Sequence, residues 1–238
     1  MKTNFFCRIQ AVFYLPLAFA CLLAGCTPTI PPPSNIEHIQ IPADFPEAYY
    51  QRAKENGTKI LGIDSKHSLL VIIVRRGGTL ALLGHDHVVA SHDIRGFVDL
   101  DAGRADIYIP LAELSVDEAS LRTEAKFTTQ PTEAAIAGTR QNMLDKVLET
   151  GKFPVALIHI IRGSTESTML TVAITLHGTT HTFEVPVKIE NLEKGITISG
   201  QMTINQTAFG ITPFSILGGA LQVQDRLDLN FRIVAGTI

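Results

Sequence analysis

Histidine offers this chain its widest choice of chemistry, and four of the eight histidines fall in two short stretches. His85 and His87 flank Asp86 within Gly84-His85-Asp86-His87, and His92 follows. Two residues apart on an extended chain, the rings of His85 and His87 project to one side, as metal-ligating pairs can. The same four residues also read as an ordinary turn, because Asp and His tolerate unusual backbone angles and bond nearby amides. Hydrogen bonding, metal ligation and acid–base catalysis are therefore all open for His85, Asp86 and His87. His177 and His181 flank His177-Gly178-Thr179-Thr180-His181 and form a second candidate pair across a hairpin turn. His92 and His159 fall on apolar strand faces and are expected as core or cavity-lining residues with one partner each. For nucleophilic chemistry the chain offers Ser68, Ser91 and Ser215 without a Gly-x-Ser-x-Gly elbow. Phosphate-cradling loops and paired zinc-ribbon cysteines are absent from the sequence.

The stretch His67 to Asp101 must position most of these groups. His67 to Val74 is a continuous apolar, β-branched run, Arg75-Arg76-Gly77-Gly78 punctuates it, and Thr79 to Leu83 is a second short run expected as a strand before the Gly84 to His87 turn. From Val88 onward the alternation places Val88, Ala90, His92, Ile94, Gly96, Val98 and Leu100 on one face. A strand with one apolar and one polar face belongs to an antiparallel sheet wetted on one side. Ala105 to Pro110 then pairs back across Ala102-Gly103-Arg104, with Ile107 and Ile109 pointing inward.

A short helix is expected around Glu47 to Lys54, stopped by Asn56-Gly57. Pro131 to Thr150 is the convincing helical region, with an apolar stripe of Ile136, Met143, Leu144, Val147 and Leu148. Gly138-Thr139 is expected to split it, with Thr139 capping a second helix that Gly151 ends. Strands are expected over Val155 to Arg162, Met169 to His177, Thr182 to Glu190, Ile196 to Asn205 and Asp225 to Ala235, with a loop from Ala208 to Gln224. About eight strands, mostly hairpin-linked, with one short helical crossover, make a mainly β, antiparallel barrel or sandwich.

The first residues read as a signal rather than fold. Lys2 and Arg8 precede an apolar run, Ile9 to Leu23, that is too short to span a bilayer comfortably, and Leu23-Ala24-Gly25-Cys26 follows. This pattern is similar to a bacterial lipoprotein signal over residues 1–25, with Cys26 left as the lipidated first residue. Pro28, Pro31, Pro32 and Pro33 make residues 26–41 an extended tether, residues 42–59 an N-terminal segment, and residues 60–238 the domain. Cys7 and Cys21 leave with the signal, so no disulfide is expected in the mature domain. Loss of Lys2 and Arg8 takes the formal charge from −3 to −5, which offers no electrostatic footprint for nucleic acid. Thr27 rather than Asp after Cys26 points to the outer membrane, facing the periplasm, in enteric-type sorting.

Several short pieces share an order and spacing: Ile63-Asp64-Ser65-Lys66-His67-Ser68, Gly96-Phe97-Val98-Asp99-Leu100-Asp101, Gly151-Lys152-Phe153-Pro154, Leu176-His177-Gly178-Thr179-Thr180 with Val185-Pro186-Val187, and Ala208-Phe209-Gly210-Ile211. Together they resemble the YceI-like family, periplasmic lipocalin-like proteins that bind polyisoprenoids and related long-chain lipids. The resemblance implies an eight-stranded antiparallel lipocalin-like barrel whose interior holds an isoprenoid or fatty-acyl chain. Gly84 to His87 and Pro213 to Ala220 depart from the family's common pattern.

Leu70, Ile72, Leu82, Ile94, Phe97, Phe183, Phe209, Phe214 and Phe231 are candidate ligand-binding residues in such a barrel, with His85 and His87 as polar contacts. The expected function is a lipid-anchored carrier, without catalytic residues, metal or cofactor; self-association into a homodimer is open. The alternative is a hydrolase or metal-dependent enzyme built on Gly84 to His87. Phe209, Phe214, Ile216 and Leu217 among Gly210, Gly218 and Gly219 suit a lid, expected to pack near Gly84 to His87 and to be held there by His85, Asp86 or His87.

Overall fold

A computed structural model of the chain describes residues 41–164 and 167–237. The expected signal, Cys26 and nearly all of the tether lie outside the described residues. The strands are β1 (Ile60–Ile63), β2 (Leu69–Gly77), β3 (His87–Ser91), β4 (Arg95–Asp99), β5 (Arg104–Pro110), β6 (Ser115–Val116), β7 (Val155–Ile161), β8 (Met169–Leu176), β9 (Thr179–Leu192), β10 (Gly195–Asn205), β11 (Ser215–Ile216) and β12 (Leu221–Thr237). Among the described residues three α-helices accompany them, α1 (Glu47–Glu55), α2 (Ala119–Glu124) and α3 (Glu133–Asn142).

All strand pairs are antiparallel, and the order β1-β4-β5-β7-β8-β9-β10-β12 returns to β1 through Leu61↔Thr237 and Ile63↔Ala235, which closes an eight-stranded barrel. Three of its eight walls are interrupted strands. β1 and β2 follow one path along β12, broken where Asp64 caps a 3-10 turn over Ser65–His67. β3 continues as β4, and β5 continues as the two-residue β6, which pairs Val89 with Val116. Period-two alternation explains the closure. On β10, Ile196, Ile198, Met202 and Ile204 face inward, while on β9 Thr182, Glu184, Lys188 and Glu190 are exposed. Gly200 is the inward position where a side chain would not fit: a Cβ there would sit 2.7 Å from Phe231 Cζ and 2.9 Å from the Pro186 carbonyl.

The break between β3 and β4 overturns the single face expected from Val88 to Leu100. Val88 and Ala90 point outward and pack under Leu121 of α2, whereas His87 and Val89 point inward. Beyond the break Ile94 and Val98 point inward and Phe97 outward. Asp93 drives the change locally by turning back to bind Arg95 at 2.7 Å through both carboxylate oxygens. Gly96 then adopts a φ of +151°, and a Cβ there would stand 2.1 Å from the Asp106 carbonyl.

Other boundaries also shift. Thr79 to Leu83 is not a strand but a loop with a 3-10 turn at Ala81–Leu83, because its amides bond within the turn and to Ala220. α3 runs unbroken through Gly138-Thr139, capped by Thr132 rather than Thr139, since open space beside Gly138 leaves nothing to kink it. It widens into a π turn at Met143–Val147, and the chain turns out at Glu149, with φ 45°, before Gly151. β9 reaches Leu192 and β12 starts at Leu221, both longer than alternation alone marks.

α1 ends at Asn56 and Gly57, as the sequence predicts, and it lies against the outer wall. Phe45 and Tyr50 meet Phe97 and Tyr108 with ring centroids 4.9 to 6.1 Å apart. Tyr50 donates its hydroxyl to Asp106 at 2.6 Å, and Tyr49 to Asp99 at 2.8 Å. Among the described residues no helix is long and apolar enough to cross a membrane.

Candidate functional site: the barrel interior

Inward-facing side chains leave two chambers along the barrel. The first, about 180 Å³, is walled by apolar residues of every closing strand, among them Ile63, Ile94, Val98, Ile107, Ile160, Val172, Val185, Ile198 and Phe231. Its outer end carries Arg162 and Asn191, beside Asp99 and Arg104, whose side chains are engaged by Tyr49 and Asp106 on the outer wall. The second, about 260 Å³, is walled by Ile72, Val74, Val89, Leu111, Leu114, Met143, Val147, Leu148 and Phe214, with His87, Thr139, Asn142 and Gln206 as its polar members. Leu70, Ile109, Ile158, Ile174 and Leu229 belong to both walls and form a waist between the chambers. Each chamber exceeds the ~150 Å³ at which an aliphatic cavity stays dry and takes up benzene-sized guests. A slim chain threaded through the waist would touch hydrocarbon almost throughout.

Of the candidate ligand-binding residues, Leu70, Ile72, Ile94, Phe214, Phe231 and His87 line these chambers. The other five lie outside the walls. Leu82 is 89% exposed on its loop, His85 is exposed, and Phe97 faces α1 on the outer surface because of the parity change in β3–β4. Phe209 is fully buried and packs with Phe183 at a centroid separation of 6.4 Å, as core rather than lining.

The histidines do not converge. His87 Nδ1 lies 2.6 Å from the buried carboxylate of Asp117, which also accepts from the Val88 amide at 3.0 Å and from the buried Arg122 guanidinium at 2.5 Å. Arg122 donates further to the carbonyls of Asp86 and Thr129. Burial alone would raise the Asp117 carboxyl, but the hydrogen bonds from His87, Val88 and Arg122 hold it below the ordinary carboxylate range. The ring of His85 stands 6.3 Å from that of His87, edge to face, and Asp86 is taken by Arg75 at 3.1 Å and by the Arg76 amide at 3.0 Å.

His92 and His159 each have one partner, as expected, but on the outside. His92 meets Glu118 at 2.9 Å, and His159 meets Asp106 at 2.6 Å. His177 and His181 are separated by the hairpin: the first bonds Glu149 at 3.1 Å and packs on Phe153, and the second bonds the Ala208 carbonyl at 2.8 Å. Among the described residues no three His, Cys, Asp or Glu side chains are grouped to hold a metal, and no hydroxyl or thiol bonds the His87 ring. Asp117 and Glu118 escaped the sequence reading because they partner His87 and His92 across 30 and 26 residues of chain, and Arg122 because it reaches the Asp86 carbonyl across 36.

The loop from Ala208 to Ala220 does pack beside the Gly84 turn. The Leu80 amide donates to the Ala220 carbonyl at 2.7 Å, and a Cβ on Gly84 would stand 2.8 Å from Leu221 Cδ1. The fastening is not the one expected, because His87 is committed to Asp117 and Asp86 to the arginines.

The family model for the YceI-like domain matches residues 62–235, from β1 through most of β12. Among solved structures, a polyisoprenoid binding domain from Saccharophagus degradans implicated in plant cell wall breakdown is 12% identical, covers 75% of this chain and 98% of its own, and superposes with a TM-score of 0.55. Burkholderia cenocepacia BcnA is 14% identical over 72% of this chain and 98% of its own, with a TM-score of 0.49. A Campylobacter jejuni YCEI protein is 17% identical over 61% and 82%, with a TM-score of 0.41. No curated protein matches the chain.

Proposed function

Because the chain belongs to the family of YceI-like domains, we propose that it is a non-enzymatic carrier that holds a long apolar ligand of isoprenoid or fatty-acyl type along the barrel axis. The observation that carries this reading is the pair of chambers joined at an aliphatic waist of five shared residues. Polar side chains stand toward the far ends, Arg162 and Asn191 at one and His87, Thr139, Asn142 and Gln206 at the other. Such a lining suits a molecule with a hydrocarbon body and at most small polar ends. The polyisoprenoid binding named for the Saccharophagus degradans domain supports the same class of ligand here.

The carrier is anchored to the cell envelope by lipid on Cys26, with Thr27 directing it to the outer membrane on the periplasmic side. Mass spectrometry of the N-terminal peptide should find acylated Cys26, and an unmodified cysteine would remove the anchor. Native mass spectrometry of gently purified protein should show one bound isoprenoid or acyl lipid per barrel. A consistently empty barrel that also fails to take up such lipids when they are supplied sinks the carrier reading.

A further inference from the structure

β2 and β12 do not stop at the barrel's end. The last rung that includes β3 is Val74↔His87, yet β2 continues to Gly77 and pairs Arg76 with Val223 and Gly77 with Gln222. β11 adds Ser215↔Gln222 and Ile216↔Leu221 on the other side of β12. A narrow ribbon thus projects past the second chamber, whose wall includes Val74, His87, Phe214 and Val223. Two loops, residues 78–84 and 217–220, cap this ribbon and are tied together by the Leu80 to Ala220 hydrogen bond.

The tip is apolar where it should be wet. Leu82, Leu83 and Leu217 are 89%, 71% and 68% exposed, the three most exposed large apolar side chains among the described residues, and Ile216 and Leu80 stand beside them. Arg75 and Arg76 at the ribbon's base face one carboxylate, Asp86, at 3.1 and 3.9 Å, which leaves one net positive charge beside the tip of a chain that is acidic as a whole. The tip's backbone is also largely self-satisfied: Ala81 bonds Gly78, Leu83 bonds Leu80, Gly84 bonds Ala81 and Ala220 bonds Leu217. A segment that enters hydrocarbon must meet that condition, because unpaired amides are costly there.

We propose that this tip is a membrane-docking device: the leucine loops insert into the outer acyl region of an anionic bilayer, with Arg75 and Arg76 at headgroup level. Docking would bring the Phe214 side of the second chamber to the bilayer surface. The proposal rests on the carrier reading for its purpose but not for its test. A convex, cationic, leucine-tipped ribbon continuous with a hydrocarbon-lined chamber fits a lipid surface, whereas a protein partner would be expected to meet a broader polar-rimmed face.

The chain lacks tryptophan, so a single introduced indole reports one position. Full-length Leu82→Trp is mixed with phosphatidylglycerol/phosphatidylethanolamine vesicles carrying brominated acyl chains. Leu192→Trp, at the exposed β9–β10 turn, serves as the comparison and carries the same N-terminal segment. The expected result is a blue shift and quenching for Leu82→Trp alone, with most of both lost when Leu217→Asp is added to it. Equal quenching of both indoles, or quenching of neither, overturns the docking. A concentration-dependent blue shift of Leu82→Trp without vesicles also overturns it, because a second copy of the chain would then cover the tip. Native mass spectrometry of the same preparations separates the two ideas: retained ligand with no docking removes the tip proposal and leaves the carrier standing.

Discussion

Asp117 ties the second chamber's histidine to a charge that has no other outlet. Its carboxylate and the Arg122 guanidinium are both buried, and each bonds backbone as well as the other. Removing one partner of such a pair strands the second, at a cost of about 3–5 kcal/mol. Asp117→Asn should therefore lower unfolding stability by that order at neutral pH, read by denaturant titration. The wild-type dependence on acid has a definite sign. The folded-state carboxyl lies below its ordinary range, so its contribution is complete above the unfolded value, about 3.9, and fades as pH falls through the depressed one. Stability of Asp117→Asn should fall less steeply than wild type below about pH 4; equal slopes would place the acid sensitivity elsewhere.

At the scale of elements, α1 is a clamp on the outer wall rather than part of the binding cavity. Its Tyr50 hydroxyl ends on Asp106, which also receives Arg104 at 2.7 Å and His159 at 2.6 Å. Burial would raise the Asp106 carboxyl, but the bonds from Arg104, Tyr50 and His159 hold it below the ordinary range. Tyr50→Phe keeps the ring contacts with Phe97 and removes one hydrogen bond to a charged acceptor, worth about 1.5–3 kcal/mol. We expect a loss within that range by thermal or chemical unfolding with ligand occupancy unchanged. A fall in occupancy larger than the fall in stability would mean that α1 reaches the interior.

For the whole molecule, the proposed carriage of a long ligand depends on the two chambers acting as one. Ile174 is buried at the waist and contributes to both walls. Ile174→Phe adds bulk there, at about 1–3 kcal/mol of overpacking, and should close the passage. Long isoprenoid or acyl ligands should lose most of their binding in a lipid-displacement titration, while short-chain analogues that fit one chamber keep theirs. Equal retention of long and short ligands would show that the chambers are used separately.

Alternation by itself determined where β7, β8 and β10 run and that Ile107 and Ile109 face inward, because side-chain direction follows a period of two inside an unbroken strand. Local turn chemistry likewise marked the His177-Gly178 hairpin, where both residues take positive φ, and the end of α1 at Asn56-Gly57. The ordered motifs from Ile63 to Ile211 carried the family. Tertiary structure alone decided the inside and outside of β3–β4, since one irregular stretch at His92–Ile94 reverses every face beyond it. It therefore sent Phe97 to α1 and kept His87 in the wall. It also chose the histidines' partners, because closure of the barrel sets Asp117 beside His87 and Asp106 beside His159, contacts that 30 and 53 residues of intervening chain leave without any local signature.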